Sequence, residues 1–470
     1  MPIFVEKEKK AGRRNERPGQ PESLTFEVSP PSPELSHAER QEGQKRMIQE
    51  GLFWAIMNNA TVPGGIVLTA FALYMGADVF IIGLLTALPL LAAILQLWTP
   101  QLVNAWGGRK AVSVKTLGTA RLLLIPMVAL SLGAWLVPDL AWMWLIMCLI
   151  LITVFSGLTA IGGTSWLSWA TTVVPLEQRA AYFAKRSTLI GVVGLVAALL
   201  TGFFLDWWTE PVATGSGHRT HPGAYVVLFA IATVAGIIST SRLQRTPDLK
   251  NQEPSADRPS FKESLTSTWK LLGLRRYLIF RSAQLFAIGI VVPYYAVYML
   301  QDLKLSFTEL FFLQNVGALA GLVVLPLWGR MLEKFGCSRI LFWTSWFKVL
   351  YVILWAFVVP GDPFWPLLLL HMSLAVDSGL NLASGNLLMN LLPPGTQNVG
   401  FFSVFTAVTS LVSAIGPFVA GILIGWIAAY SLPVLGVGLG AFQLMFIVSG
   451  LLRAASMVFF RGFADTGKIR

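Results

Sequence analysis

The sequence predicts an all-α membrane protein in which twelve transmembrane helices form two pseudo-symmetric six-helix bundles. Three features support this fold class: the composition, the number of long apolar segments and the placement of the basic residues. Of the 470 residues, 55% are hydrophobic and 13% are charged, whereas soluble domains carry about 25% charged residues. A chain of this composition cannot cover a water-facing surface, so most of its surface must contact lipid.

Long apolar segments indicate how often the chain crosses the membrane. A helix needs about 20 mostly apolar residues to cross the hydrocarbon core. The alternating polarity that a transmembrane β-barrel requires is absent from the sequence. The predicted spans are approximately 50–75, 79–101, 114–137, 141–172, 187–208, 224–241, 277–300, 309–330, 340–360, 364–391, 400–428 and 432–458.

The polar segments around the spans divide the chain into five parts. The first 48 residues are charged and Pro-rich, which predicts a disordered tail without a signal peptide. The only long polar interruption between spans separates them six and six. The predicted organisation is a tail at 1–48, a bundle at 49–241, a central loop at 242–276, a second bundle at 277–460 and a tail at 461–470.

The basic residues predict the orientation of the chain. Lys and Arg concentrate in alternate links, in the central loop and in the C-terminal segment, while the other links carry little basic charge. Because basic residues favour the cytoplasmic side of a membrane, both termini and the central loop are predicted to be cytoplasmic. The formal net charge of +11 is therefore attributed to topology and not to nucleic-acid binding.

Two sequence matches relate the halves of the chain to each other. The segments 100–110 and 329–339 follow the second and eighth spans and share a glycine and a basic residue. The segments 174–183 and 393–402 follow the fourth and tenth spans and share a proline, a glutamine and a pair of aromatic residues. Two matches in the same order indicate that the halves arose by duplication.

The first of these repeated segments resembles the loop signature of the major facilitator superfamily, Gly-x-Leu-x-Asp-Arg-x-Gly-Arg-Arg/Lys. After the second span the chain keeps Leu102, Gly107 and a basic pair, Arg109 and Lys110, but it has Asn104 in place of the acid. The weaker copy after the eighth span keeps Gly329, Glu333, Lys334, Gly336 and Arg339.

An acid beside basic residues at the inner helix ends can form a charge-assisted bond that holds the cytoplasmic side closed. In the second copy, Glu333 with Lys334 or Arg339 is predicted to form such a bond. Alternatively, these residues cap helices and fix the topology. The predicted cytoplasmic gate comprises Asn104, Gly107, Arg109, Lys110, Glu333, Lys334, Gly336 and Arg339.

The resemblance covers residues 48–460 and implies a transporter whose first, fourth, seventh and tenth helices line a central cavity. Polar and aromatic residues on these helices are the predicted substrate-binding residues: Trp54, Asn58, Asn59, Thr61, Ser156, Thr159, Arg281, Gln284, Tyr294, Tyr295, Tyr298, Asn381 and Ser384. The mostly uncharged, aromatic-rich set favours an amphipathic or neutral cargo.

Asp377 lies near the middle of the tenth span, where a charged side chain costs about 2.5–3.5 kcal/mol on insertion scales. The spacing places it on one helix face with Ser373, Asn381 and Ser384. Proton coupling is its predicted role. Contact with a cationic substrate and a structural pairing with Arg281 stay open as alternatives.

Other charged residues in the spans have simpler predicted roles. Lys348 and Arg121 lie at nearly equivalent places in the ninth and third spans and are predicted to snorkel to the cytoplasmic interface. His371 is predicted to be interfacial. Cys148 and Cys337 are predicted to lie at different depths, so no disulfide is expected, and no metal site follows from the sequence.

The resemblance implies a secondary active transporter that moves a small organic solute by alternating access, with protons as the predicted coupling ion. The alternative is a transporter-derived receptor or scaffold that binds a ligand without translocating it. No motif of an enzyme is present. The predicted partners are the solute, protons and the lipid bilayer, without nucleic acid or a cofactor. The expected form is a monomer in a bacterial inner membrane.

Overall fold

The computed structural model describes residues 36–211, 218–248, 261–361, 364–392, 399–427, 432–434 and 437–460. Within these residues, twelve helices are long and apolar enough to cross a membrane, which confirms the predicted fold class. The spans, first to twelfth, are His37–Tyr74, Val79–Ala105, Arg109–Leu136, Pro138–Val173, Ala181–Trp207, Gly223–Gln244, Leu272–Asp302, Phe307–Phe335, Cys337–Trp355, Phe364–Asn390, Val404–Ile427 and Ala441–Phe460.

Seven of the spans are composed of consecutive shorter helices. The helices are His37–Thr61 and Ile66–Tyr74 in the first span; Val79–Ala92, Ala93–Trp98 and Thr99–Ala105 in the second; Arg109–Leu122 and Leu124–Leu136 in the third; Pro138–Leu140 and Ala141–Val173 in the fourth; Leu272–Gly289, Val292–Val297 and Tyr298–Asp302 in the seventh; Phe364–Met372 and Ala375–Asn390 in the tenth; and Ala441–Ser456 and Met457–Phe460 in the twelfth. The helices Arg179–Trp207 and Val399–Ile427 contain the fifth and eleventh spans.

The break in the first span lies at residues 62–65, between the helices His37–Thr61 and Ile66–Tyr74. Pro63 has no backbone N–H to continue the helical hydrogen bonds. Gly64 has a φ of 70°, a left-handed conformation that favours glycine. The polar residues that precede the break are thereby separated from the apolar helix that follows it.

The first helix begins at His37, inside the segment predicted to be a disordered tail. Ser36 caps it, because the amide of Glu39 donates to the Ser36 hydroxyl and the amide of Ser36 donates to the Glu39 carboxylate. This reciprocal capping stabilises the first turn. The predicted boundary at residue 48 is wrong, since hydropathy does not detect a polar helical extension. Residues 1–35 of the predicted tail lie outside the described residues.

The links also contain elements that the sequence did not predict. A helix, Phe261–Lys270, lies in the central loop, and the seventh span begins at Leu272, earlier than the predicted residue 277. Residues 249–260 of that loop and the predicted tail at 461–470 lie outside the described residues. Two short antiparallel hairpins pair Thr209–Pro211 with His218–Thr220 and Leu432–Val434 with Val437–Leu439.

The ends of the spans fall into two groups. The span ends on either side of the link from the second span to the third, and of the link from the eighth to the ninth, carry Arg109, Lys110, Lys334 and Arg339. Since an even number of crossings separates these links, they lie on the same side of the membrane. We call this side the basic end and the opposite side the distal end.

Hydrogen bonds join the two halves at the distal end. The backbone N–H groups of Phe307 and Thr308, at the start of the eighth span, donate to the Asp206 carboxylate at 2.8 and 2.7 Å. The Tyr294 hydroxyl of the seventh span donates to the carbonyl of Val79 at 3.2 Å. A carboxylate at a helix N-terminus also interacts favourably with the helix dipole, so Asp206 stabilises this contact between the fifth and eighth spans.

The second and eleventh spans approach each other closely through glycine. A Cβ atom added at Gly83 would lie 2.5 Å from the Pro417 carbonyl oxygen, and one added at Gly421 would lie 3.0 Å from the Phe80 Cα. Small residues permit this kind of helix contact in membranes. The two halves are therefore packed closely together at these glycines near the distal end.

Candidate functional site

An ion pair between neighbouring spans forms the centre of the candidate site. Asp377 lies on the helix Ala375–Asn390, and its carboxylate oxygens lie 3.0 Å from the Lys348 Nζ of the ninth span. The same Nζ lies 3.9 Å from the centre of the Tyr351 ring. The Lys348 side chain is 11% exposed and the Asp377 side chain is 40% exposed. The ion pair therefore joins a buried ammonium group to a carboxylate that is only partly buried.

This geometry corrects two expectations. One alternative left open for Asp377 is a structural pairing with Arg281, whereas the structure pairs Asp377 with Lys348. The three side chains predicted to lie at a membrane interface, Arg121, Lys348 and His371, are all buried. The His371 Nδ1 lies 2.8 Å from the carbonyl of Leu367 within its own helix. Position along a span does not reveal whether a polar side chain faces lipid or a neighbouring helix, which is why the snorkelling predictions for Arg121 and Lys348 are wrong. The depth of His371 in the membrane stays a prediction.

Arg453 of the twelfth span lies near the ion pair. It is 5% exposed, and its Nε atom is buried without a hydrogen-bond partner among the described residues. Asp377 and Lys348 both lie within its electrostatic reach. Two cations therefore act on a single carboxylate.

Arg281 of the seventh span lies on the same helix face as Tyr277 and Gln284. It is 8% exposed, and its Nε and Nη1 atoms are buried without a hydrogen-bond partner in the described part of the chain. One turn before it, the Tyr277 hydroxyl lies 2.6 Å from the Ser384 hydroxyl of the tenth span. Gln284 is also buried, and its Nε2 has only a long contact of 3.9 Å to the sulfur of Met457. This face brings unused hydrogen-bond donors together.

A second buried charged cluster lies in the N-terminal half and centres on Glu50, which the sequence reasoning missed. Glu50 is 3% exposed, and its carboxylate lies 2.8 Å from the Arg121 Nη2 and 3.1 Å from the Arg186 Nη2. The Ser239 hydroxyl donates to the Glu50 carbonyl oxygen at 2.9 Å. The Arg186 guanidinium lies over the Trp166 ring at 4.3 Å. The carboxylate is thus fully paired and connects the first, third and fifth spans.

Glu50 and Arg453 could both have been identified from the sequence as charged residues within predicted spans. Glu50 is the first residue of the first predicted span, and Arg453 lies inside the last predicted span. A charged residue within a span requires a partner or a function. The sequence shows these charges within the spans but not the residues that pair with them, because pairing across helices depends on the three-dimensional arrangement of the spans.

The predicted binding residues of the first and fourth spans are mostly half-buried. They are Trp54, Asn58, Asn59, Thr61, Ser156 and Thr159, and only Thr61 is fully buried. The Thr61 hydroxyl donates to the Met57 carbonyl of its own helix at 3.2 Å. The Asn59 amide donates to the Gly194 carbonyl of the fifth span at 3.3 Å. Asn59 therefore also joins two helices of one half.

The predicted binding residues of the seventh span separate into two groups. Tyr294 and Tyr298 have no exposed surface. Their hydroxyls donate to backbone carbonyls of other segments, so both residues pack between helices in this conformation. Tyr295 is half-buried and its hydroxyl has no partner among the described residues. On the tenth span, Asn381 is exposed one turn from Asp377.

The predicted gate residues lie around the two links of the basic end. Asn104, Gly107, Glu333, Lys334 and Arg339 are exposed. In the described part of the chain, Glu333 forms no ion pair with Lys334 or Arg339. Gly336 ends the eighth span at a φ of 81°, and Arg109 is half-buried at the start of the third. The Lys110 Nζ donates to the Thr246 carbonyl at 2.7 Å within its own half.

Groups of three or more His, Cys, Asp or Glu side chains that could hold a metal ion are not found among the residues that the structure describes. Cys148 and Cys337 are free thiols.

Comparisons with known proteins agree with this architecture. A family model with the description Major Facilitator Superfamily matches residues 51–401. No curated protein matches the sequence.

Solved structures of other transporters share the fold. A bacterial homologue of the iron transporter ferroportin in the inward-facing state has a TM-score of 0.63 at 14% identity, with coverage of 91% of this chain and 98% of that chain. A bacterial homologue of the human lysosomal transporter Spinster, inward-facing and occupied, has 0.63 at 14% identity, with coverage of 91% and 97%. A D-xylose-proton symporter has 0.60 at 13% identity, with coverage of 91% and 98%. Identities this low show a common fold and nothing about the cargo.

Proposed function

We propose, from the premise that this chain belongs to the Major Facilitator Superfamily of membrane transporters, that it moves a small organic solute by alternating access and couples this movement to protons at Asp377. The observation that carries the coupling is the ion pair of Asp377 with Lys348 inside the spans. The structure supports each part of this proposal through a different set of contacts.

Alternating access requires two halves that separate at one end while they meet at the other. Hydrogen bonds of Asp206 and Tyr294 join the halves at the distal end. We propose that the basic end faces the cytoplasm, since basic residues favour that side, and that both termini lie there. This conformation is then the inward-facing one, and a bacterial inner membrane is the proposed location.

Proton coupling requires a group that binds a proton in one state and loses it in another. The Asp377 carboxylate is 40% exposed, so it is not enclosed by protein, while Lys348 is 11% exposed and relies on it for compensation of charge. Protonation of Asp377 removes one charge of the pair and leaves the buried ammonium uncompensated. Protonation of Asp377 therefore destabilises the arrangement in which the Asp377 and Lys348 side chains are in contact, relative to an arrangement in which they are apart.

Uptake into proteoliposomes tests the transport proposal. The full chain is reconstituted, and radiolabelled solutes are tested in separate classes. These include nucleosides and sugars, because structurally similar proteins are a nucleoside transporter and a D-xylose-proton symporter. Saturable accumulation that exceeds protein-free vesicles supports transport. Saturable binding without accumulation favours the receptor or scaffold alternative and rejects transport.

A further inference from the structure

The buried charges of this protein do not balance. In the described part of the chain, the buried charged side chains are Glu50, Arg121, Arg281, Lys348 and Arg453, four basic residues and one acid. Glu50 is paired with Arg121 in the N-terminal half, and the half-exposed Asp377 is paired with Lys348 in the other. Arg281 and Arg453 are therefore left as buried cations of the C-terminal half without a hydrogen-bonded acid.

Arg281 is the more isolated of these two. Arg453 has Asp377 within electrostatic reach, whereas Arg281 forms no ion pair with an acid among the described residues. Two of the three guanidinium nitrogens of Arg281 are buried without a hydrogen-bond partner among the described residues. A buried cation without an anionic partner is unfavourable unless another group supplies a negative charge and hydrogen-bond acceptors.

Residues next to Arg281 are suited to an anionic group. Gln284 lies on the same helix face, is buried and has no strong acceptor for its amide. The planar guanidinium presents its N–H donors in a fork that matches a carboxylate or a phosphate. Asp377 is already 3.0 Å from Lys348, and Glu50 is bound by two arginines in the other half. Neither acid is free to take this position.

We propose that the solute carries a carboxylate or phosphate group and that Arg281 binds this group with the help of the Gln284 amide, while Arg453 adds positive potential. This inference rests on the proposed transport function, whose substrate class it names. It replaces the expectation of a neutral cargo, which rested on the aromatic content of the spans and did not include Arg453.

Thermal unfolding of the full chain in detergent tests the binding step with matched probes. The pairs are succinate with succinamide, benzoate with benzamide, and glycerol 3-phosphate with glycerol, together with inorganic phosphate, all at equal ionic strength. We expect at least one anion to raise the Tm by about 2 °C or more at saturation, because ligands that bind the folded state stabilise it. Its neutral counterpart is expected to leave the Tm unchanged.

Two variants connect this shift to the proposed residue. Arg281→Gln is expected to weaken the anion-dependent shift more than about tenfold in concentration, since it removes one partner of a buried charged contact. Arg330→Gln is the matched control, because Arg330 is exposed at the basic end and loses the same charge. If Arg281→Gln does not fold, Arg281→Lys replaces it; this variant keeps the charge but loses the planar fork, and we expect at least about fivefold weaker binding.

The outcomes separate this inference from the transport proposal. If no anion shifts the wild-type Tm, if neutral probes shift it equally, or if Arg281 variants retain the full shift, the inference is overturned. Uptake of a neutral solute that is independent of Arg281 leaves transport intact and rejects an anionic substrate. An Arg281-dependent shift without any uptake into vesicles confirms the anion site and rejects transport.

Discussion

Lys348 and Asp377 form an ion pair 3.0 Å long between the ninth and tenth spans, and its two members differ in exposure, 11% against 40%. The lysine is held inside the C-terminal half, while the carboxylate keeps contact with the surroundings. This asymmetry supports the proposed proton exchange, because the more exposed member of the pair is the carboxylate. It also predicts how substitutions at the two positions differ.

Replacing only one member of this pair is expected to destabilise the protein. Asp377→Asn leaves the Lys348 ammonium buried without a counter-charge, at a cost of about 1–3 kcal/mol, less than for a fully buried pair because Asp377 is partly exposed. The double variant Asp377→Asn with Lys348→Met removes both charges and is expected to recover most of this loss. Denaturation of the purified variants measures the change in the free energy of unfolding. Equal stability of Asp377→Asn and the wild type would contradict the pairing.

Glu50 is expected to be essential for the stability of the N-terminal half. Glu50→Gln leaves Arg121 and Arg186 without their shared carboxylate, and breaking a buried pair costs about 3–5 kcal/mol. The control is Glu42→Gln, which removes an exposed pair with Arg46 and is expected to change stability by less than about 1 kcal/mol. A Tm of Glu50→Gln that equals that of the control would show that the Glu50 cluster does not stabilise the fold.

Asp206 is expected to control the closure of the distal end. Asp206→Ala removes the acceptor for the amides of Phe307 and Thr308, a capping interaction worth about 0.5–2 kcal/mol. The variant should therefore populate the distal-open state more than the wild type does. Spin labels at Leu136 and Lys304, at the distal end of the two halves, report the distance between the halves. An unchanged distance distribution in Asp206→Ala would argue against this role of Asp206.

Gly83 is expected to be required for the close contact of the second and eleventh spans. A Cβ atom at this position would lie 2.5 Å from a backbone carbonyl, so Gly83→Ala must push the halves apart and lower the Tm. Gly191→Ala is the matched control, since an added Cβ there meets no atom within 4 Å and alanine favours the helix. Similar Tm values for both variants would contradict the packing described here.

The sequence was sufficient for the fold because hydropathy and charge placement depend on the chain alone. Twelve apolar segments are predicted from hydropathy, and the described residues contain twelve helices that are long and apolar enough to cross a membrane. The polar start of the first helix at His37 was not readable in this way. Its helical state depends on the Ser36 cap and on packing against neighbouring spans, which a hydropathy criterion does not include.

Only part of the candidate site could be predicted from the sequence. Asp377 stood out as a charge inside a span, but its partner Lys348 could not be identified, because the contact depends on which spans are neighbours and which faces they present. The same limit explains Tyr294 and Tyr298, whose rings are buried between helices. In a helix that is apolar all round, the sequence pattern does not separate a face that lines a cavity from one that packs against protein.

The most direct test of the account measures proton movement in vesicles that enclose a pH-sensitive dye. Wild type, Asp377→Asn and the control Asp139→Asn, which alters an exposed carboxylate on a distal link, are compared with a solute that the wild type transports. We expect solute addition to change the internal pH for the wild type and the control but not for Asp377→Asn, which should also fail to accumulate solute against its gradient. Solute-driven proton movement of wild-type size in Asp377→Asn would contradict the central claim.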